Sequence, residues 1–336
     1  MRCHALDKRE KVTSNRNRLR FITVGLLATG LMSMGSAMAS ADDGSIVLDF
    51  VRHGESGDMT VVNTLVPGPE LTDTGEQQAH ALVNVLSGSG IDDIYASTMI
   101  RSQETATPLA EALNLPIQVL PGLNEIDAGI FEGIPVNVGD LPLGGALYLL
   151  APVLWTLGLD FVPQLGSTVD PNGIAFDESF SGAVQSIYDG SVGTDAGTVT
   201  DAVFSHEAAI AIWTLMNVNN PDFTLVLQEF LNTGELLPYT GQVVVDGSPG
   251  DWTLVSWDGT PVPQNPGLPT ELFVDSRDLI TAPQFATYDI YEALLTGNSA
   301  TIESAIQAGV SQIDTALAQF PVAVFGDIVS AFGGAI

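Results

Sequence analysis

Positive charge is what this sequence has least of. Ten Lys+Arg stand against 40 Asp+Glu in 336 residues, a formal net charge of −30. Seven of the ten (Arg2, Lys8, Arg9, Lys11, Arg16, Arg18 and Arg20) fall within the first twenty positions, and beyond them only Arg52, Arg101 and Arg277 remain, with no lysine. Such a chain is a poor partner for nucleic acid or an anionic membrane surface, since both need clustered cations. Cysteine is nearly missing too, at Cys3 alone. A disulfide framework is thereby excluded, and a zinc site would have to use His and carboxylates. An apolar fraction of 45% excludes a disordered chain. The length suits one large domain with additions, or two small ones.

The basic first twenty residues lead into an apolar run from Phe21 to about Gly35, then Ser36-Ala37-Met38-Ala39. That order describes a secretory signal peptide over residues 1–39, with cleavage near Ala39 or Ala41. No Arg-Arg pair is present, so the general secretory route is expected, to the cell envelope or the exterior. His4 and Cys3 leave with this leader, and the chain behind it is more acidic still.

A short apolar run, Ser45 to Val51, reads as a buried strand ending directly at Arg52-His53-Gly54-Glu55-Ser56. Asp73 and Glu76 resemble a capping box ahead of Ala79, Leu82, Val83 and Leu86 at helical spacing. Asp93–Ser97 is a second strand, followed by Arg101 on a helix that Pro108 is expected to kink or restart, with Thr107 as cap. Ile117–Leu120 is a third, leading to Glu125. Val199–Ser205 is a fourth, ending at His206 with a helical run behind it. Val243–Val245 and Thr253–Trp257 look like an antiparallel pair. Strands alternating with helices imply an α/β three-layer sandwich with a mostly parallel central sheet, and its ligand site beyond the strand carboxyl ends.

Arg52, His53, Arg101, Glu125 and His206 each follow a predicted strand. Two guanidiniums, two imidazoles and one carboxylate at one sheet edge suit phosphoryl transfer. An imidazole nitrogen attacks phosphorus, arginines hold the equatorial oxygens, and a carboxyl group protonates the leaving alkoxide.

These residues resemble a family. Val51-Arg52-His53-Gly54-Glu55-Ser56 is similar to the R-H-G signature of the histidine phosphatase superfamily, in its phosphoglycerate-mutase-like branch. Ala96 to Ala106 resembles that family's S-x-x-x-R-x-x-x-T-A segment, Leu123 to Gly129 its acid loop, and Phe204-Ser205-His206 the segment bearing its second His. The resemblance implies a phosphoglycerate-mutase-like fold. It makes His53 the residue phosphorylated in turnover, Arg52, Arg101 and His206 the phosphate pocket, and Glu125 the proton donor. The expected reaction is hydrolysis of a small phosphomonoester, with no metal and no cofactor. A mutase-type phosphotransfer, or a non-enzymatic acidic envelope protein on the same fold, is the alternative. Glu207 stands where the family usually has Gly, and its carboxylate is expected to repel phosphate unless it turns away. Asn63 is the first Asn after R-H-G.

The catalytic domain is expected over 40–260, with an apolar insertion or lid at 134–175, a Pro-rich linker at 261–270 and a helical extension at 271–336. Leu141 to Leu159 carries no charge, but Pro142 and Pro152 and its place between Glu125 and His206 argue against a membrane span. Its leucines suggest a lid over the pocket and an apolar leaving group. The extension, periodic from Ile302 to Phe320 with Ser299 as cap, is expected to pack without chemistry. His80 is expected to face solvent, Arg277 to make a surface salt bridge, and Glu104 and Asp127 to serve as cap or network carboxylates.

Overall fold

Alternation along the first strand sets the layers. The structure, a computed structural model, describes residues 44–57, 60–137, 142–192 and 199–333. The leader and its cleavage site lie outside these. In β1 (Ile46–Arg52), Ile46, Leu48 and Phe50 join one apolar cluster and Val51 joins another on the opposite face. The second face is covered by α1 (Asp73–Leu86), which leads to β2 (Asp93–Ala96), and by α2 (Ile100–Leu113), which leads to β3 (Ile117–Val119). The first face is covered by α3 (Leu143–Trp155), α4 (Gly173–Ser191) and, after β4 (Val199–Ser205), α5 (Glu207–Asn217). There Phe50, Phe180 and Trp213 stack at ring separations of 5.2 to 5.8 Å. The three-layer architecture follows from these two faces.

After α6 (Phe223–Thr233) come β5 (Gln242–Ser248), β6 (Asp251–Trp257) and β7 (Thr260–Pro261). The seven strands run in the order β3-β2-β4-β1-β5-β6-β7. The sheet is mixed. Pairing is parallel from β3 to β1, and antiparallel from β1 through β7, with Val243 opposite Trp257 in the expected hairpin. The parallel half aims the carboxyl ends of β1, β2 and β4 at one edge.

Local details correct the sequence reading in several places. The cap of α1 is Thr72, whose hydroxyl accepts from the Gly75 N–H, and not Asp73, which is the first helical residue. Helix α2 runs unbroken through Pro108, without a restart, and the Thr107 hydroxyl donates back to the Gln103 carbonyl. Helix α4 is capped by Asn172, whose side chain accepts from the Ala175 N–H.

The C-terminal region is helical, as expected: α7 (Leu268–Leu295), which begins inside the Pro-rich stretch, and α8 (Ser299–Gly333). Asn298, one residue before Ser299, accepts from the Ala300 and Thr301 N–H groups and caps α8. The two helices pack along each other, and a Cβ on Gly309 would come within 3.1 Å of the Ala286 Cβ. Among the described residues, Ser299–Phe332 is the one segment long and apolar enough to cross a membrane, and none of its most apolar stretch is buried. Segment Leu141–Leu159 forms the short helix α3 instead.

Candidate active site

Each loop after a parallel strand delivers one group. Arg52 ends β1 and His53 follows it. Gly54 allows the amino end of α1 to approach, since a Cβ there would sit 2.8 Å from the Gly75 carbonyl oxygen. The Gly54 N–H donates to Thr105 Oγ1 at 2.9 Å, tying this loop to the helix that carries Arg101. Asn124 accepts from the N–H and hydroxyl of Thr98, fixing the Glu125 loop beside the Arg101 loop. Ser205 donates to the Leu123 carbonyl at 2.7 Å and locks the same loop to β4.

The structure brings together all five residues singled out from the sequence. Nε of Arg101 lies 3.0 Å from Nε2 of His53 and 3.3 Å from Nδ1 of His206, and the two imidazole centroids are 5.2 Å apart. Nδ1 of His53 is 2.7 Å from the Gly54 carbonyl oxygen. A carbonyl only accepts, so Nδ1 carries the hydrogen and Nε2 presents its lone pair. A similar deduction fixes His206. Ser102 Oγ donates to the Met99 carbonyl, so Ser97 Oγ donates to Ser102 Oγ. Ser97 Oγ then accepts both the Met99 N–H and the His206 Nε2–H, at 2.8 Å for the latter. His206 Nδ1 therefore bears the lone pair.

Burial, reinforced by the charges of Arg101 and Arg52, holds the His53 pKa well below 6.5. Burial, Arg101, His53 and Arg52 do the same to His206. Burial brings Arg101 down to about 10, against the raising effect of Glu125. Glu125 accepts from the Ile126 N–H at 3.0 Å and, at the start of α5, from the Ala209 N–H at 2.9 Å and the Ala208 N–H at 3.4 Å. Desolvation nevertheless raises its pKa, the backbone donors and Arg101 opposing it. A neutral imidazole and a carboxyl that keeps its proton above the ordinary range are suited to attack and to donation, respectively.

Arg52 is the group whose surroundings the sequence concealed. Its Nη1 donates to the Leu237 carbonyl and pairs with Glu207 at 3.0 Å and Glu235 at 3.3 Å. Its guanidinium carbon lies 4.0 Å above the Tyr239 ring, which is itself 6.0 Å from the His53 ring. Glu207 also accepts the Leu236 N–H at 2.6 Å, so its carboxylate turns to Arg52 rather than standing free against an anion. Glu235 and Tyr239 belong to no motif and come from the loop before β5; the misplaced carboxylate Glu207 was the one sequence signal that Arg52 has acidic company. Asn63 reaches the site through its backbone carbonyl, 3.3 Å from Arg101 Nη2.

Nη1 of Arg101 and Nε of Arg52 are buried and meet no acceptor among the described residues. Two unsatisfied guanidinium N–H groups are costly unless an anion meets them. Beside a lone-pair imidazole, that donor set fits a phosphoryl group.

The remaining predictions divide. His80 is exposed, as expected. Glu104 accepts the Leu71 N–H, and Asp127 accepts from the Gly129 N–H and the Ser167 hydroxyl, both as network carboxylates. Arg277 makes the expected salt bridge, its Nε 3.2 Å from the exposed Asp278, but it is not itself on the surface. It is 5% exposed and donates to the Leu215 and Val218 carbonyls at the carboxyl end of α5, besides Asp278. Helix α3 divides its apolar side chains between core and solvent, with Leu149 packed partly buried against the core. Tyr148, Ala151 and Trp155 face inward, Tyr148 donating to the Ile126 carbonyl at 2.9 Å, while Leu147, Leu150 and Val153 are exposed. Glu178, Asp289 and Glu292 gather their oxygens within 4.8 Å of one another on α4 and α7, away from both histidines.

Residues 48–138 match the model of the histidine phosphatase superfamily, branch 1. The chain is 48% identical to a PE-PGRS family protein of Mycobacterium tuberculosis, over 86% of this chain and 49% of that protein. It is 36% identical to a probable phosphoglycerate mutase, GpmB, of Yersinia enterocolitica, over 26% of this chain and 41% of that protein. The chain thus spans about half the length, or less, of these relatives. A native structure of a mycobacterial glucosyl-3-phosphoglycerate phosphatase aligns at TM-score 0.48 and 20% identity, over 64% of this chain and 99% of that one.

Proposed function

From the premise that the chain belongs to the histidine phosphatase superfamily, in its phosphoglycerate-mutase-like branch, we propose that it is an exported phosphomonoester hydrolase working through a phosphohistidine on His53. The observation that carries this reading is the pair of buried, unpartnered guanidinium N–H groups on Arg52 and Arg101 beside the lone pair of His53 Nε2. Nε2 attacks phosphorus, and its bond to phosphorus forms as the ester oxygen leaves. Arg101 and Arg52 hold the equatorial oxygens. Glu125 gives its proton to the departing alkoxide, and then takes one from the water that cleaves the phosphohistidine. His206, once protonated at Nδ1, donates to another phosphoryl oxygen. No step calls for a metal or a cofactor. Export rests on the basic, apolar and small-residue order of residues 1–39. The catalytic unit is residues 40–260, joined by the Pro-rich stretch to the helical extension that α7 opens at Leu268.

A mutase-type transfer is the second reading, favoured by the kinship with phosphoglycerate mutases. A second anionic group on the substrate needs its own cation, and Arg277 is committed to α5. The test is a panel of phosphomonoesters given to the mature protein, with His53→Ala as control. Free phosphate from the wild type alone supports the hydrolase. An isomerised ester supports the mutase, and no turnover on any ester leaves the non-enzymatic reading.

A further inference from the structure

We propose that the site takes an amphiphilic phosphomonoester, an uncharged leaving group whose hydrocarbon chain lies across apolar loop tips at the edge of the pocket; this rests on the phosphatase reading above.

The first observation is where exposed apolar side chains sit. The 62–68 loop lies directly on Arg101. Its Asn63 carbonyl accepts from Arg101 Nη2, its Pro67 carbonyl accepts the Ile100 N–H, and a Cβ on Gly68 would stand 2.6 Å from Arg101 Nη1. Between these anchors Leu65 and Val66 are 58% and 55% exposed. The loop carrying Glu125 does the same with Ile130, which is 60% exposed. The Ile130 N–H donates to the carbonyl of Leu165, another exposed residue.

These tips are held, not loose. The Ala128 N–H donates to Thr64 Oγ1, Thr64 donates to Glu132, and the Val62 N–H donates to the Ile134 carbonyl. The loop beside Arg101 and the loop of Glu125 therefore form one frame. Both ends of that frame present large apolar side chains to solvent. Exposed apolar side chains on the loop that touches Arg101 and on the loop that carries Glu125 offer a surface to an apolar occupant.

The second observation is charge. The three arginines beyond the leader are all engaged, two at the phosphate and Arg277 at α5, and lysine is missing. Glu207 and Glu235 add negative charge beside Arg52. A bisphosphate or phosphocarboxylate finds no second cation here, and a sugar finds hydrocarbon where it needs hydrogen-bond partners. A hydrocarbon chain finds both conditions met.

The experiment measures kcat/KM for ethyl, butyl and octyl phosphate, the last below its aggregation concentration. The proteins are the mature wild type, Leu65→Ser, Val66→Ser, Ile130→Ser, and Leu231→Ser as a distant control, since Leu231 is 72% exposed on α6. Wild type and control should gain at least about tenfold from ethyl to octyl, the gain from burying two of the six added methylenes. The octyl-to-ethyl ratio should fall severalfold in the three loop variants; taken within one protein, it is insensitive to the amount folded. A flat series with measurable turnover overturns the amphiphile and leaves the phosphatase standing. A rise confined to concentrations above aggregation overturns it in favour of surface adsorption. No turnover of any ester removes the phosphatase reading itself.

Discussion

Nε of Arg101 donates to Nε2 of His53 at 3.0 Å, the nitrogen that holds the lone pair because Nδ1 carries its hydrogen to the Gly54 carbonyl. One guanidinium N–H therefore orients the nucleophile while Nη1 awaits an anion. Arg101→Lys should lower kcat/KM by about 10²–10³, the loss typical of a single transition-state donor. A lysine keeps the charge but cannot place donors at both positions. Steady-state kinetics on a small aryl phosphate measures this, and a loss below about tenfold would contradict the assignment.

His53→Ala should abolish both turnover and acid-labile phosphate on the denatured protein. His206, the nearest imidazole, has its Nε2 engaged by Ser97 and its Nδ1 turned to Arg101. Rapid quench with labelled substrate checks the covalent step, and labelling of the variant would move the nucleophile elsewhere.

The pH profile should separate two groups. His53 titrates well below 6.5, so the attacking imidazole stays neutral into acid. Glu125 titrates above its ordinary 4.5, so the donor loses its proton as pH rises through that raised value. Alkyl esters should therefore show an alkaline limb, and aryl esters with good leaving groups should not. Glu125→Gln should cost alkyl esters about 10²–10⁴ and aryl esters far less. Equal losses on both would point to Asp127 as the acid.

The catalytic constellation was legible because each of its members ends a strand or follows one within about six residues, and strands betray themselves through short apolar runs. Helix ends were less legible. Thr72 caps α1 because it also donates to a Glu55 side-chain oxygen at 2.7 Å, a through-space partner that the capping pattern at Asp73 could not show. Arg277 was misread for the same reason. Its acceptors, Leu215 and Val218, lie about sixty positions earlier in the chain. Glu235 and Tyr239 reach Arg52 only because β5 pairs antiparallel with β1 and returns its preceding loop to the active edge. Leu65, Val66 and Ile130 belong to no motif, and the frame around Arg101 is what singles them out.

Arg277 should matter to stability far more than to chemistry. It joins α7 to the last turn of the helix that begins after His206, where a cation also suits the helix dipole. Arg277→Met leaves two buried carbonyls without these donors, at about 1–3 kcal/mol each at most. The melting temperature should fall by several degrees, while kcat/KM measured well below the transition stays within about twofold. A large kinetic defect with unchanged melting would give Arg277 a role at the site.

Three buried carboxylates set the last expectation. Asp49 is pushed up to about 7 by burial, and Asp201 and Asp170 to about 6. Asp49 sits in β1 between β4 and β5, 6% exposed, with one oxygen that meets no donor. Because its folded pKa lies above the unfolded value near 3.8, the folded state holds the proton more tightly. The stabilisation is complete below about pH 4 and is lost as pH rises through 7. Free energies of unfolding from urea titrations at pH 5 and pH 8 should therefore favour pH 5, on the order of a few kcal/mol. Asp49→Asn keeps the shape without the charge. It should raise stability more at pH 8 than at pH 5 and reduce the difference between them. An unchanged difference in that variant would show that Asp49 stays ionised in the fold, with a donor for both oxygens.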